Sequence, residues 1–275
     1  MAHIGRFSPV AAKTQQQAAS IGCLSRLGGS PTAKDTRDVH ISRDKVHAWS
    51  ASVALSGNQA LRNVSILSPS ERKRAELFRL SSDRVSYVLG RYMVRTLLSR
   101  ILGIRPQELE FSIDQWGKPH LVGRGAESRL AFNLAHSAGQ VVCAVAFDRK
   151  IGVDIEFERE SLDFIDIARS YFSALETENL MKLPQAEGKR LFYRYWTLKE
   201  AILKAEGCGL SAPLKTVDVS RFVQQSSTSA RGPIEDAPRQ VRAHPLHLRG
   251  GFAAAIAADG PVWCTDSHEL DPICP

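Results

Sequence analysis

Two short segments carry the acids and bases of this chain that are spaced to work together. Ile151-Gly152-Val153-Asp154-Ile155-Glu156 sets two carboxylates two residues apart among β-branched neighbours, a strand pattern in which Asp154 and Glu156 leave from the same face. Further on, Trp196-Thr197-Leu198-Lys199-Glu200-Ala201-Ile202-Leu203-Lys204 has the spacing of a helix, with Trp196, Glu200 and Lys204 on one stripe and Lys199 one step round. Three carboxylates suit a hard divalent cation such as magnesium, which takes oxygen ligands and fills its shell with water and phosphate oxygens. A flexible lysine, Lys204 first and Lys199 second, supplies positive charge to the oxygens of a transferring phosphoryl group. The same spacings also fit a solvated strand face and an ordinary Glu200–Lys204 helix ion pair worth about 0.2–0.5 kcal/mol.

Elements of changing period must position these segments. Val46 to Val53 alternates as an opening strand, helices occupy about 69–102, and strands near 109–113, 130–135 and 141–147 complete a first lobe. The strand Ile151 to Phe157 starts a second lobe, with helices near 161–170, 174–183 and 187–206 and strands near 214–219, 241–248, 252–257 and 261–264. Ser68, Pro69 and Glu71 read as an N-cap, a first-turn proline and a capping-box glutamate, and Gly207 as a C-cap. Ser173 and Glu176 repeat the capping-box spacing. The run Gln224 to Gln240, rich in Ser, Pro, Gly and Gln, reads as a loop. The fold class is α+β, divided into an extension (1–44), a first lobe (45–150), a second lobe (151–265) and a tail (266–275).

At these residues the chain resembles the 4'-phosphopantetheinyl transferases, in particular the long, monomeric Sfp type. The family's G-[VI]-D-[IVL]-E strand stands at Gly152 to Glu156, and its W-[ST]-x-K-E-[AS]-x-x-K-x-x-G helix at Trp196 to Gly207. Gly117-Lys118-Pro119 and Phe132-Asn133-Leu134-Ala135-His136-Ser137 resemble two upstream segments, with Ala135 in place of the usual serine. Gly209-Leu210-Ser211-Ala212-Pro213-Leu214 resembles the downstream continuation.

The resemblance implies transfer of the 4'-phosphopantetheine arm of coenzyme A to a serine of an acyl or peptidyl carrier protein, with release of adenosine 3',5'-bisphosphate. It implies Asp154, Glu156 and Glu200 as magnesium ligands, Lys204 beside the reacting phosphates, and Glu176 as general base. Gly117, Lys118, Pro119, His136 and Ser137 match residues that hold the nucleotide end of coenzyme A, joined by Lys199. It also implies a pseudo-twofold pair of similar lobes, each a small, mostly antiparallel sheet packed with helices, with coenzyme A in the cleft between them. In its first long helix the family carries basic residues that contact the 3'-phosphate. Here Glu71 falls where lysine is common, which leaves Arg72 and Arg74 for that role, and Ser86 stands at a usual arginine position. The residues themselves leave alternatives: a pure capping role for Glu176, a satisfied polar side chain for His136, and a core aromatic for Trp196.

Whole-chain properties narrow the class. The 275 residues are 43% hydrophobic, as in ordinary globular proteins, and no apolar run approaches the roughly 18 residues of a membrane span. Cys23, Cys143, Cys208, Cys264 and Cys274 are odd in number and lack C-x-x-C spacing, which argues against a zinc site or disulfide framework and suits a reducing cytoplasm. The net charge of +7 is local: Arg6, Lys13, Arg26 and Lys34 precede the first acid, and eight Lys or Arg against three acids lie between Glu71 and Arg100. Such a face steers anionic partners. Without interleaved aromatic motifs it does not read as a nucleic-acid binder, and the absence of a G-x-x-x-x-G-K-[ST] loop speaks against a nucleotide hydrolase.

Overall fold

The computed structural model describes residues 41–207, 213–223, 241–261 and 263–269. In the first lobe, β1 (Val46–Ser52) leads into α1 (Val53–Arg62), α2 (Pro69–Glu76) and α3 (Ser81–Leu102). A short hairpin of β2 (Glu110–Ile113) and β3 (Pro119–Val122) follows, then β4 (Leu130–Ser137) and β5 (Gln140–Phe147). The second lobe opens with β6 (Ile151–Phe157), then α4 (Phe164–Tyr171), α5 (Ala174–Met181) and α6 (Gln185–Glu206), and adds β7 (Arg242–Leu246) and β8 (Phe252–Ala258). The last strand, β9 (Thr265–Glu269), returns to the first lobe.

The order β4-β5-β1-β9 makes one sheet and β6-β8-β7 another, with β2 and β3 as a separate pair. All ladders are antiparallel except β1 with β9. This is the expected α+β fold of small, mostly antiparallel sheets packed with helices.

Strand alternation decides what meets what. On β1 and β5, Trp49, Ala51, Val141, Cys143 and Val145 join the helices of the first lobe in one core, while Val46, Ala48, Val142, Ala144 and Ala146 face the other way. That second set packs with Ile151, Val153 and Ile155 of β6 and Ala254, Ile256 and Ala258 of β8. The two sheets therefore share a layer of largely small side chains, and helices cover their outer faces. Cys143, in the helix-side core of the first lobe, is fully buried as a small apolar side chain.

Local signals place the helices. Ser68 and Glu71 close a capping box at α2, with Pro69 in its first turn, and Ser173 with Glu176 closes another at α5. Gly103 and Gly207 end α3 and α6 in the left-handed conformation, φ +66° and +75°.

Four expectations need correction or fall outside the description. Helix α1, capped by the Ser52 hydroxyl, was not anticipated. Residues 214–219 contain a 3₁₀ turn, Leu214–Thr216, instead of a strand. The closing strand lies at 265–269, not 261–264, and takes in residues expected as tail. Residues 1–40, the loop 224–240 and most of the Gly209 to Leu214 segment lie outside the described residues.

Gly152 fixes how closely the second lobe packs. A Cβ at that position would stand 2.0 Å from the Ala201 carbonyl oxygen and 2.5 Å from the Ala205 nitrogen, so α6 lies directly on the backbone of β6. Gly152→Ala is expected to lower stability by at least about 1–3 kcal/mol through overpacking. Gly103→Ala, with nothing near its Cβ, is expected to cost only the left-handed strain of about 1–2 kcal/mol. Urea unfolding of both variants checks this: an unperturbed Gly152→Ala midpoint would mean that helix and strand are not in contact there.

Candidate functional site

The close seating of α6 on β6 brings the acids and bases of the two segments together. Even positions of β6 face α6, so Asp154 and Glu156 share that face with Gly152. Asp154, Glu156 and Glu200 are 2%, 5% and 6% exposed. Lys204 Nζ donates to Asp154 Oδ1 at 2.6 Å and to the Val153 carbonyl at 3.2 Å.

Burial, aided by the neighbouring Glu156 and Glu200 charges, pushes the Asp154 carboxyl up to about 7 against the pull of Lys204. For Lys204, burial works downward, but Asp154 and Glu200 outweigh it and hold the ammonium above its ordinary value. The Lys204 ammonium thus feels all three carboxylates.

Two side chains of β4 tie this strand to the first lobe. Asn133 Oδ1 accepts from the Val153 N–H at 2.8 Å, and Ser137 Oγ accepts from the Phe157 N–H at 3.1 Å. The Ser137 hydroxyl also lies 3.0 Å from Glu156 Oε2, to which it donates. The expected site residue Ser137 therefore touches the acid cluster directly. Asn133 was quoted in the sequence pattern but not selected as a candidate; an amide inside an otherwise apolar strand was the available signal. His136 lies between them on β4, half-buried.

Lys118 reaches the site from the first lobe. Its ammonium donates to the carbonyls of Ile151 (2.8 Å) and Lys204 (2.7 Å), joining the start of β6 to the last turn of α6. Burial lowers it to about 8. Gly117, at φ +84°, makes the preceding turn in a conformation suited to glycine, and Pro119 opens β3 opposite Ile113.

Arg72 and Arg74 sit on α2, apart from this cluster: the first donates to the Leu67 carbonyl, and the second stacks 5.9 Å over the Tyr87 ring. Ser86 is a buried residue of α3 whose hydroxyl donates to the Ser82 carbonyl. Trp196 packs among Tyr171, Phe172 and Phe192, as a core aromatic.

Glu176 and Lys199 are enclosed together in the second lobe. Both are 0% exposed. Glu176 Oε2 accepts from the Ser173 N–H at 2.8 Å and pairs with Lys199 Nζ at 2.7 Å, while Oε1 accepts from the Val219 N–H at 2.8 Å. Lys199 spends its remaining donors on the carbonyls of Leu214 (3.0 Å) and Val217. A carboxylate so enclosed does not present itself to an incoming hydroxyl, and an ammonium so engaged does not present itself to a phosphate. Glu176 has the full capping-box geometry with Ser173.

The donor set suits a hard cation. Asp154 Oδ2 is buried and accepts no hydrogen bond, and all three acids offer oxygen. Among the described residues no group of three His, Cys, Asp or Glu side chains already has metal-site spacing.

Comparison with known proteins identifies the family. Residues 150–257 match the model of the 4'-phosphopantetheinyl transferase superfamily, and residues 48–148 that of the N-terminal part of 4'-phosphopantetheinyl transferases. The chain is 37% identical over 177 residues to the 4'-phosphopantetheinyl transferase HetI of a Nostoc species, covering 64% of this chain and 74% of that protein. Against the 4'-phosphopantetheinyl transferase Sfp of Bacillus subtilis, identity is 31% over 213 residues, 77% of this chain and 91% of the other.

The buried acid has a measurable signature. The folded state keeps a proton on Asp154 up to about pH 7, whereas an unfolded Asp releases it near 3.9. Stability without divalent cations should therefore fall as pH rises across that window. Asp154→Asn should flatten the fall, gaining on wild type by on the order of a few kcal/mol between pH 4 and pH 8. Urea midpoints in a chelating buffer report it, and parallel pH profiles for the two proteins would contradict the placement of Asp154.

Proposed function

Because this chain belongs to the 4'-phosphopantetheinyl transferase superfamily, we propose that Asp154, Glu156, Glu200 and Lys204 are the groups with which it moves the 4'-phosphopantetheine arm of coenzyme A onto carrier proteins. The single observation that carries this assignment is the convergence of those four side chains between β6 and α6. In the reaction the carrier serine oxygen bonds to the phosphorus bearing the pantetheine arm. The bond from that phosphorus to the bridging oxygen breaks, and adenosine 3',5'-bisphosphate leaves with the electron pair. The serine proton passes to an acceptor within hydrogen-bond reach of that hydroxyl.

Asp154, Glu156 and Glu200 would hold magnesium, and the orphaned, buried Asp154 Oδ2 supports that choice. When bound, magnesium neutralises charge on the diphosphate oxygens. Lys204 places a positive charge beside the same acids, where it can stabilise charge on the phosphoryl oxygens. Ser137 orients Glu156 through its hydroxyl, and His136, beside it on β4, is assigned to the nucleotide end of coenzyme A, together with Gly117 and Pro119 in the β2–β3 turn. Lys118 supports the same region by holding the end of α6. Coenzyme A would lie in the cleft between the lobes.

The acceptors are acyl or peptidyl carrier domains, serving polyketide, nonribosomal peptide or fatty acid synthesis. No helix among the described residues is long and apolar enough to cross a membrane, and the free Cys143 and Cys264 are compatible with a monomer in a reducing cytoplasm. The basic run from Arg72 to Arg74 is assigned to steering an acidic carrier or the coenzyme A 3'-phosphate.

Incubation with coenzyme A, magnesium and a panel of apo-carriers, read by mass spectrometry, tests the activity. Asp154→Ala and Glu200→Gln are each expected to abolish most turnover in a folded protein; near wild-type rates for both at limiting magnesium would remove the metal assignment. Lys204→Met should lower kcat more than it raises KM, whereas His136→Ala should mainly raise KM for coenzyme A. Identical kinetic signatures would defeat that division of roles.

Carrier docking is tested by salt. Exposed charges are screened over about 8 Å at physiological ionic strength, so kcat/KM for the carrier should fall as salt rises while kcat at saturating carrier changes little. A salt-independent kcat/KM would overturn the steering role.

A further inference from the structure

The two lobes repeat each other along the sequence. From Val46 to Ile151 (β1 to β6) and from Pro69 to Ala174 (α2 to α5) the displacement is 105 residues, and the paired elements have equal lengths. From Ser81 to Gln185 (α3 to α6) it is 104, and both helices run 22 residues to a left-handed glycine.

Within this repeat one polar assembly occurs twice. In the first lobe Glu71 receives the Ser68 N–H at 2.9 Å and pairs with Arg95 at 2.7 Å. Arg95 also donates to the carbonyls of Pro106 (2.6 Å) and Leu109 (3.0 Å), and lies 5.0 Å over the Phe111 ring. In the second lobe Glu176 receives the Ser173 N–H, pairs with Lys199, and Lys199 donates to Leu214 and Val217. Lys199 lies 5.1 Å over the Phe172 ring. Arg95 and Lys199 are themselves 104 residues apart in sequence, as their helices are.

The proposed metal-binding acids behave differently under the same displacement. The positions matching Asp154 and Glu156 are Trp49 and Ala51, and the position matching Glu200 is Thr96; only Lys204 meets another basic residue, Arg100. The first lobe therefore keeps the glutamate–base assembly without any carboxylate cluster for it to serve as proton acceptor. A device present where that cluster is missing belongs to the fold.

We infer that Glu176 and Lys199 are the second copy of a helix clamp that holds α6 in rotation and depth against α5 and the 214–219 segment, that their task in the reaction is to position the adjacent Glu200, and that Glu176 takes no proton from the carrier serine. The clamp ties together three pieces: the first turn of α5 through the Ser173 N–H, the middle of α6 through Lys199, and the following turn through Leu214, Val217 and Val219. Glu200 is the next residue of α6, so its direction depends on the rotation that Lys199 fixes.

The kinetic arm of the test rests on the function proposed above; the folding arm does not. Melting temperatures of Glu71→Gln and Glu176→Gln are measured first and need no substrate. Both should fall, because each variant strands a buried base, and Glu176→Gln/Lys199→Met should recover part of the loss by removing both partners. At saturating magnesium and coenzyme A, the double variant should keep kcat within about 10-fold of wild type, against the roughly 100- to 10,000-fold loss expected on removing a general base. Its magnesium requirement should rise about 10-fold or more, the usual result of disturbing a residue behind a metal ligand.

A Glu176→Gln protein that melts like wild type and loses more than about 100-fold in kcat would overturn the inference. So would a double variant that fails to fold while Glu71→Gln folds, since the two assemblies would then not be equivalent. If wild type transfers nothing to any carrier, the functional reading fails, while the paired melting losses still decide whether the clamp is duplicated.

Discussion

The contact between Gly152 and the Ala201–Ala205 turn is the constraint on which the site depends. Helix and strand backbones meet there without an intervening side chain, so functional groups on the facing positions of β6 and α6 fall within reach of one another. Moving the helix outward by one methyl layer would open the Lys204–Asp154 pair, which now stands at 2.6 Å. The same closeness buries the carboxylates beside one another, and Asp154 responds by holding its proton to higher pH. Asp154 Oδ2 is left there without a hydrogen-bond partner.

Support for that geometry comes from outside the second lobe. The sheets share a layer rich in alanine, which lets them approach, and β4 then reaches β6 with side chains instead of a backbone ladder. Asn133 meets Val153 and Ser137 meets Phe157. The displacement is 20 residues at both points, so the two strands run in step in the same direction. Ala135, where a serine is usual in the resemblance, sits between these bridges and has no hydroxyl to add a third. The strand is thus pinned on either side of the Asp154–Glu156 stretch, and Lys118 fixes the helix end from the same lobe.

Much of this was legible in the residues. Alternation marked β6, the Trp196–Glu200–Lys204 stripe marked the working face of α6, and two capping boxes and two C-terminal glycines marked helix ends. What was not legible depended on partners distant in sequence. The β-branched residues Thr216, Val217 and Val219 suggested a strand, but the chain there turns to offer carbonyls to Lys199. Strand β9 exists through its parallel pairing with β1 across the whole chain, which no local period announces. Lys118 and Lys199 both stand in the sequence as lysines toward coenzyme A; that each donates to two backbone carbonyls depends on partners that no local pattern announces.

Internal duplication decides between readings that one lobe alone leaves open. The glutamate at position 71 stood out in the sequence as an acid where a basic residue is common, and the structure accounts for it: it caps α2 and neutralises Arg95 in the core of the first lobe. Glu176 does the same for α5 and Lys199. A buried ion pair of this kind adds little net stability compared with well-packed apolar residues, yet losing one partner is costly. Its value lies in direction, since each base also points at two specific carbonyls and so sets how its long helix meets the turn that follows. In the first lobe that precision orders a core. In the second, where Asp154, Glu156 and Glu200 occupy positions held by Trp49, Ala51 and Thr96 in the first, the same device fixes the helix that carries Glu200.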